Sequence, residues 1–247
     1  AIDLITQGQI SKVVLARDLV AETKKFNPNY GLAKMSERFA SCYTYLVDGS
    51  FGSSPELLVA VANRKATARV LAGTAGRGTD KEVDEAIGAA LSHSHKNLAE
   101  HEYAIDSLTG ALQDLCEEII VSEKPFSLAL PNLWHLASDV SATLKSDISS
   151  LSLLEILHPS AAVAGTPRDK ALEIISRLEQ LDRGRYAGPV GWVSANGDGV
   201  WAIALRGAQI TKTEVRAFAG CGIVSESDPE SELAETNLKF KTVLENL

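Results

Sequence analysis

The chain has 247 residues, 45% of them hydrophobic and 23% charged, which is length for one substantial core and ordinary globular composition. A formal net charge of −8 argues against a nucleic-acid partner, because no broad basic face is available to displace counterions, so an anionic ligand would need local cations or a metal. No apolar stretch approaches the roughly 20 residues of a membrane span, and no membrane partner is expected.

Cys42, Cys116 and Cys221 are odd in number and widely spaced. They suit neither a disulfide framework nor a zinc site, and fit a reducing, cytoplasmic setting. The opening Ala1-Ile-Asp-Leu-Ile-Thr-Gln-Gly8 lacks the basic and apolar regions of a signal peptide. It reads as the middle of a helix, so the chain is expected to be a fragment.

Residues Ile10 to Val20 carry the short apolar run of a buried strand, and a helix is predicted over Leu32 to Ser41. Strands follow at 43–47, 57–62 and 66–72. The glycine-rich loop Gly73-Thr-Ala-Gly-Arg-Gly-Thr-Asp80 then leads into a helix starting near Asp80. From Asn97 to Val121 the spacing of Ile105, Leu108, Leu112, Leu115 and Ile119 by threes and fours predicts one long helix. Strands are read at 126–130 and 133–144. Thr166, Pro167 and Asp169 give the cap, first-turn proline and acidic residue of a further helix. Trp192 to Arg206 reads as a hairpin around Asn196-Gly-Asp-Gly199. A strand from Thr213 to Phe218 runs into Gly220-Cys-Gly222. A final helix begins at Asp228-Pro229, with Leu233, Phe240, Leu244 and Leu247 expected inward. Strands and helices mix without strict alternation, so the fold class is α+β, with large, mixed, mostly antiparallel sheets packed with helices. No internal boundary appears, so one domain is expected over 1–247.

Several polar patterns could carry chemistry. Glu232, Glu235 and Lys239 share one helix face, as a solvated stripe with an i, i+4 pair or as a carboxylate and a cation at a ligand. Glu100 and Glu102 flank His101, and the spacing of His93, His95 and His101 matches no standard zinc site. Gly220-Cys-Gly222 lacks the third glycine of a dinucleotide fingerprint, and the Gly73 loop lacks the Gly-Lys-Ser/Thr of a phosphate loop. Both read as turns that bring backbone N–H groups near a small anion.

The motifs together are more specific. Lys12-Val-Val-Leu-Ala-Arg17, Gly52-Ser-Ser-Pro-Glu56, Leu71-Ala-Gly-Thr74, Ala99-Glu-His101, Trp134-His-Leu136, His158-Pro-Ser-Ala-Ala162, Tyr186-Ala-Gly-Pro-Val-Gly191, Leu205-Arg206 and Ala219-Gly-Cys-Gly222 occur in one order. The acidic helix with Glu232, Glu235 and Lys239 follows them. Across essentially the whole chain this order resembles the catalytic region of the chorismate-binding enzymes: isochorismate, salicylate, anthranilate and aminodeoxychorismate synthases.

The resemblance implies that Glu100 and Glu235 bind Mg²⁺, a hard cation suited to carboxylate oxygens and a substrate anion. It implies that Arg206 and Lys239 orient the carboxylates of chorismate, and that Gly73, Thr74, His135, Ala162, Tyr186, Leu205, Gly220, Gly222 and Glu232 complete the substrate site. Lys12 stands where water-using members carry a base lysine, and Glu56 would be the acid. Ala72 stands where aminodeoxychorismate synthases of the covalent type carry a nucleophilic lysine. Ala162-Val163 resembles isochorismate synthases, whereas salicylate synthases more often carry a hydroxylated residue there. The implied activity is isochorismate formation, feeding menaquinone or siderophore biosynthesis. A salicylate synthase is the alternative, with a non-catalytic chorismate-binding homologue behind it. Family members carry a further segment before the Lys12 strand, which is expected to be absent here. A monomer, or at most a weak dimer, is expected.

Overall fold

The computed structural model describes residues 1–23 and 26–247. Helix α1 (Ile2–Thr6), strand β1 (Lys12–Glu22) and helix α2 (Pro28–Arg38) open the chain. Four strands follow: β2 (Tyr43–Val47), β3 (Ser50–Ser54), β4 (Leu57–Ala62) and β5 (Lys65–Gly76). Next come α3 (Lys81–Leu91), α4 (His95–Leu112), β6 (Cys116–Val121), β7 (Phe126–Leu130) and β8 (Leu133–Leu144). Then α5 (Ser150–Leu157), β9 (Gly165–Thr166), α6 (Arg168–Leu178), β10 (Pro189–Val193) and β11 (Gly199–Ile203) lead to β12 (Gly207–Ile210), β13 (Glu214–Ile223) and α7 (Pro229–Leu244).

The strands form two sheets. One has six strands in the order β2-β3-β12-β13-β1-β9, and the other runs β10-β11-β4-β5-β8-β6 with β7 also paired to β8. The registered pairs are antiparallel, in line with the sequence-based fold class. Helices α4 and α5 bury Ala104, Leu108, Leu112, Leu153 and Leu157 against the seven-stranded sheet. Helices α2 and α7 cover Phe51, Ala217 and Ala219 of the six-stranded sheet with Met35, Phe240 and Val243. Ile174 and Ile175 of α6 pack on Val13 of β1. Among the described residues no helix is long and apolar enough to cross a membrane.

Several elements differ from the sequence reading. The predicted helix over 97–121 is two elements, because α4 stops at Leu112 and Cys116–Val121 is a strand. Leu115 and Ile119 extended the helical spacing by coincidence, while the run Ile119-Ile-Val121 favours an extended chain. Residues Gly73–Gly76 are strand rather than loop: β5 continues through a bulge between Leu71 and Thr74 and pairs Thr74 with His135. Thr166 ends β9, so Pro167 itself occupies the cap position of α6 and no side chain caps that helix. On α7, Leu233 and Leu244 are exposed and Leu247 lies at the surface beyond it. The buried face is Glu232, Thr236, Phe240 and Val243. The polar stripe, not the leucines, therefore turns toward the protein interior.

Candidate functional site

Lys12, the first residue of β1, is wholly buried. Its Nζ lies 3.3 Å from Glu100 Oε1 and 3.5 Å from the Glu100 carbonyl oxygen. Glu100 projects from α4 onto β13, where a Cβ at Gly222 would overlap its carboxylate. Glycine at 222 is the residue that lets the carboxylate approach the strand. Burying such a pair costs desolvation of both charges, which their attraction offsets only in good geometry. A pair of this kind stabilises the fold little, and buried titratable groups of this sort cluster at functional sites.

Glu56 sits between β3 and β4 and is 4% exposed. Burial pushes its carboxyl up to about 7, against the opposing pull of Lys12, Arg206, a Leu71 backbone hydrogen bond and Lys239. Near neutral pH it holds a transferable proton, as a general acid requires.

Arg206 follows β11 with its guanidinium buried. One arm, Nη2, donates to His135 Nε2, while Nη1 has no protein partner among the described residues. Because arginine only donates, His135 must carry its proton on Nδ1, which lies 3.1 Å from the Gly73 carbonyl and 3.1 Å from Thr74 Oγ1. Burial and then the charge of Arg206 hold the His135 pKa well below its usual value, so the ring is neutral. A buried donor without a partner is costly unless a ligand supplies the acceptor. Nη1 is therefore a ready contact for an anion.

Helix α7 brings Lys239 to the same place. Its Nζ donates to the Gly220 carbonyl at 2.8 Å and to Glu235 Oε1 at 2.5 Å. One turn earlier Glu232 pairs with Lys96 of α4. Tyr186 stacks on Phe218 with ring centroids 5.3 Å apart, and burial pushes its phenol up to about 12.

These groups surround a narrow cleft lined by residues of both sheets and of helices α4 and α7. Glu56, Gly73, Thr74, Glu100, His135, Ala162, Tyr186, Leu205, Arg206, Gly220, Gly222 and Lys239 all reach its wall. Lys12 lies behind Glu100, and Glu235 is tied to Lys239. Glu232 lies apart, facing a neighbouring groove with Arg17 and Thr236. Among the described residues no group of three metal-ligating side chains converges. The carboxylates of Glu100, Glu232 and Glu235 nonetheless all act on the ammonium of Lys96.

Sequence reasoning missed Lys96, although its position four residues before Glu100 puts both on one face of α4. It also missed Val14, Pro55, Phe218 and Cys221 in the wall, which carry no chemical signature. His101 makes structural bonds: Nδ1 lies 3.2 Å from the Ala72 carbonyl and Nε2 lies 2.9 Å from Ser138 Oγ. Taken together, the cleft offers cations for a multiply charged anion, a protonated acid and a buried amine.

The sequence model of the family described as chorismate binding enzyme matches residues 1–247. Isochorismate synthase DhbC of Bacillus subtilis is 36% identical over 97% of this chain and 64% of its own length. The crystal structure of a Bacillus anthracis protein assigned as a 2,3-dihydroxybenzoate-specific isochorismate synthase superposes with a TM-score of 0.95 at 36% identity. That match covers 99% of this chain and 68% of the other. MenF, the menaquinone-specific isochorismate synthase of Escherichia coli, gives a TM-score of 0.87 at 32% identity over 98% of this chain and 59% of its own. The chain thus spans under two thirds of the Bacillus subtilis protein, at 64%.

Proposed function

Because the chain belongs to the chorismate-binding enzyme family, we propose that it is an isochorismate synthase, isomerising chorismate by adding water at C2 with loss of the C4 hydroxyl. Lys12, as the uncharged amine, takes a proton from the water as its oxygen bonds to C2. The ring double bonds shift, the C4–O bond breaks, and Glu56 delivers its proton to the departing hydroxyl. One water enters and one leaves, and the net transfer of one proton from Glu56 to Lys12 is reversed before the next turnover, so atoms and charge balance.

Arg206 and Lys239 hold the two substrate carboxylates, the first through its unpartnered Nη1. Neutral His135 fixes the guanidinium from behind. Ala162, Leu205 and Tyr186 bound the ring. Closed around the substrate, such a pocket strengthens each of these charge interactions.

Magnesium fits the donor set of this site. Mg²⁺ is commonly held by one or two carboxylates together with substrate oxygens, and Glu100 and Glu235 supply hard oxygen donors without requiring a full protein cage. Bound there, it would screen the substrate's ring carboxylate and polarise it. Lys12 and Lys239 pair with the two glutamates, so the carboxylates that would hold the ion sit beside the cations proposed to act on water and substrate.

The observation that carries the reading is the burial in one region of an amine and a proton-bearing acid, Lys12 and Glu56, at 0% and 4% exposure. Ala72 in the cleft wall leaves no lysine there for a covalent route. The test is to incubate the protein with chorismate and MgCl₂ and separate the products. Isochorismate alone supports the proposal, salicylate with pyruvate moves the assignment to the eliminating enzymes, and neither product refutes both.

A further inference from the structure

Arg206 has a backbone φ of +52°, in the left-handed region that a residue with a Cβ enters only when its surroundings force it there. Two hydrogen bonds grip this turn from the six-stranded sheet. The Ser53 N–H donates to the Arg206 carbonyl at 3.3 Å, and the Tyr45 hydroxyl donates to the Leu205 carbonyl at 3.3 Å.

Tyr45 reaches this position along a row built for it. Strand register sets Tyr45 opposite Gly52, and Gly52 opposite Gly207. A Cβ on Gly52 would lie 2.6 Å from the Tyr45 hydroxyl, and one on Gly207 would overlap it. The two glycines leave a slot that the phenol fills. Burial keeps that phenol protonated, so the hydroxyl can only serve the carbonyl as a donor.

We propose that Tyr45 is a positioning residue: its hydroxyl, seated across Gly52 and Gly207, holds the Leu205–Arg206 turn in its left-handed form and thereby aims the Arg206 guanidinium at the substrate carboxylate. The inference deepens the isochorismate synthase reading. Tyr45 acts on binding through Arg206 and takes no part in proton transfer.

The variant Tyr45→Phe keeps the ring and removes the hydroxyl, and two measurements read it. Amide hydrogen exchange, which needs no substrate, should quicken about fivefold or more at Leu205–Gly207 and at Ser53, with β5 and β8 unchanged, since one net hydrogen bond is lost. In steady-state assays KM for chorismate should rise about fivefold while kcat stays within about twofold, the signature of weakened binding alone. Unchanged exchange at Leu205–Gly207 overturns the proposal whatever the activity, and so does a fall in kcat at constant KM. If the variant fails to fold, the hydroxyl carries the fold rather than the aim of Arg206, and the proposal is equally lost. Should the unaltered protein not act on chorismate, the functional reading fails by itself, and the exchange measurement still decides the role of Tyr45.

Discussion

Glu56→Gln tests the central acid through stability as well as through rate. Holding the Glu56 carboxyl at about 7 instead of 4.5 means that the folded protein disfavours the ionised form by roughly 3 kcal/mol. Glu56 is 4% exposed, so solvent screening does not erode that figure. The folded state keeps this proton more tightly than the unfolded chain. Stability therefore falls as pH rises from 4.5 to about 7, and the whole penalty is present above that window. Glutamine mimics the protonated acid and has no charge to desolvate. At pH 8 the variant should be more stable than the parent by about 3 kcal/mol, which for a chain of this size corresponds to about 6–12 °C in Tm. At pH 5 the two should agree to within about 1 kcal/mol. The assay is paired thermal denaturation of parent and variant at both pH values, with turnover measured alongside. The variant should lose turnover by about 10²-fold or more, because no proton reaches the leaving hydroxyl. An equal Tm difference at both pH values would show that Glu56 is not held protonated by its surroundings, and the acid role would fall with it.

Lys12→Met keeps the buried stem without its amine, and kcat should drop by about 10²–10⁴-fold with substrate affinity nearly intact; residual turnover near the parent rate would remove Lys12 as the base. Gly222→Ala places a Cβ on the Glu100 carboxylate and should cut kcat/KM by about 10²-fold, whereas normal activity would mean that the Glu100 position is unimportant. Glu235→Gln should raise the Mg²⁺ concentration needed for half-activation by at least about tenfold, and a calorimetric titration showing parent-like Mg²⁺ affinity would reject it as a ligand. The rate of the parent enzyme should also decline through about pH 7 as Glu56 loses its proton, a limb that a flat profile to pH 9 would contradict.

Local pattern carried much of the fold. Strands 43–47, 57–62, 126–130 and 133–144 fall where the sequence puts them, because each is an apolar, β-favouring run bounded by turn residues. The errors came where one periodicity could pass for another. Leu115 and Ile119 continued a helical spacing into β6. On α7 the exposed Leu233 and Leu244 hid the fact that Glu232 and Thr236 face inward. The short strands β3 and β12 and the helix α5 were not foreseen. Ser50–Ser54 and Gly207–Ile210 are strands through their partners, Tyr43–Val47 and Val215–Ala217, not through their own composition. The site was legible only as an ordered set of motifs. Lys12 and Glu100 are 88 positions apart, and no local spacing states that two charges will meet without water. Lys96 and Tyr45 escaped because their roles exist only through groups they touch, Glu232 and the Leu205 carbonyl.

The paired glycines of β3 and β12 also limit how the pocket can diversify. A Cβ on Gly52 would stand 2.7 Å from the Gly207 Cα and 2.9 Å from the Arg206 carbonyl oxygen, so even alanine there would pry the two strands apart. Natural drift or directed evolution toward bulkier or differently shaped substrates is thus closed off behind the arginine. New selectivity would have to arise elsewhere in the cleft wall, for example at Ala162, which lies in a loop outside both sheets.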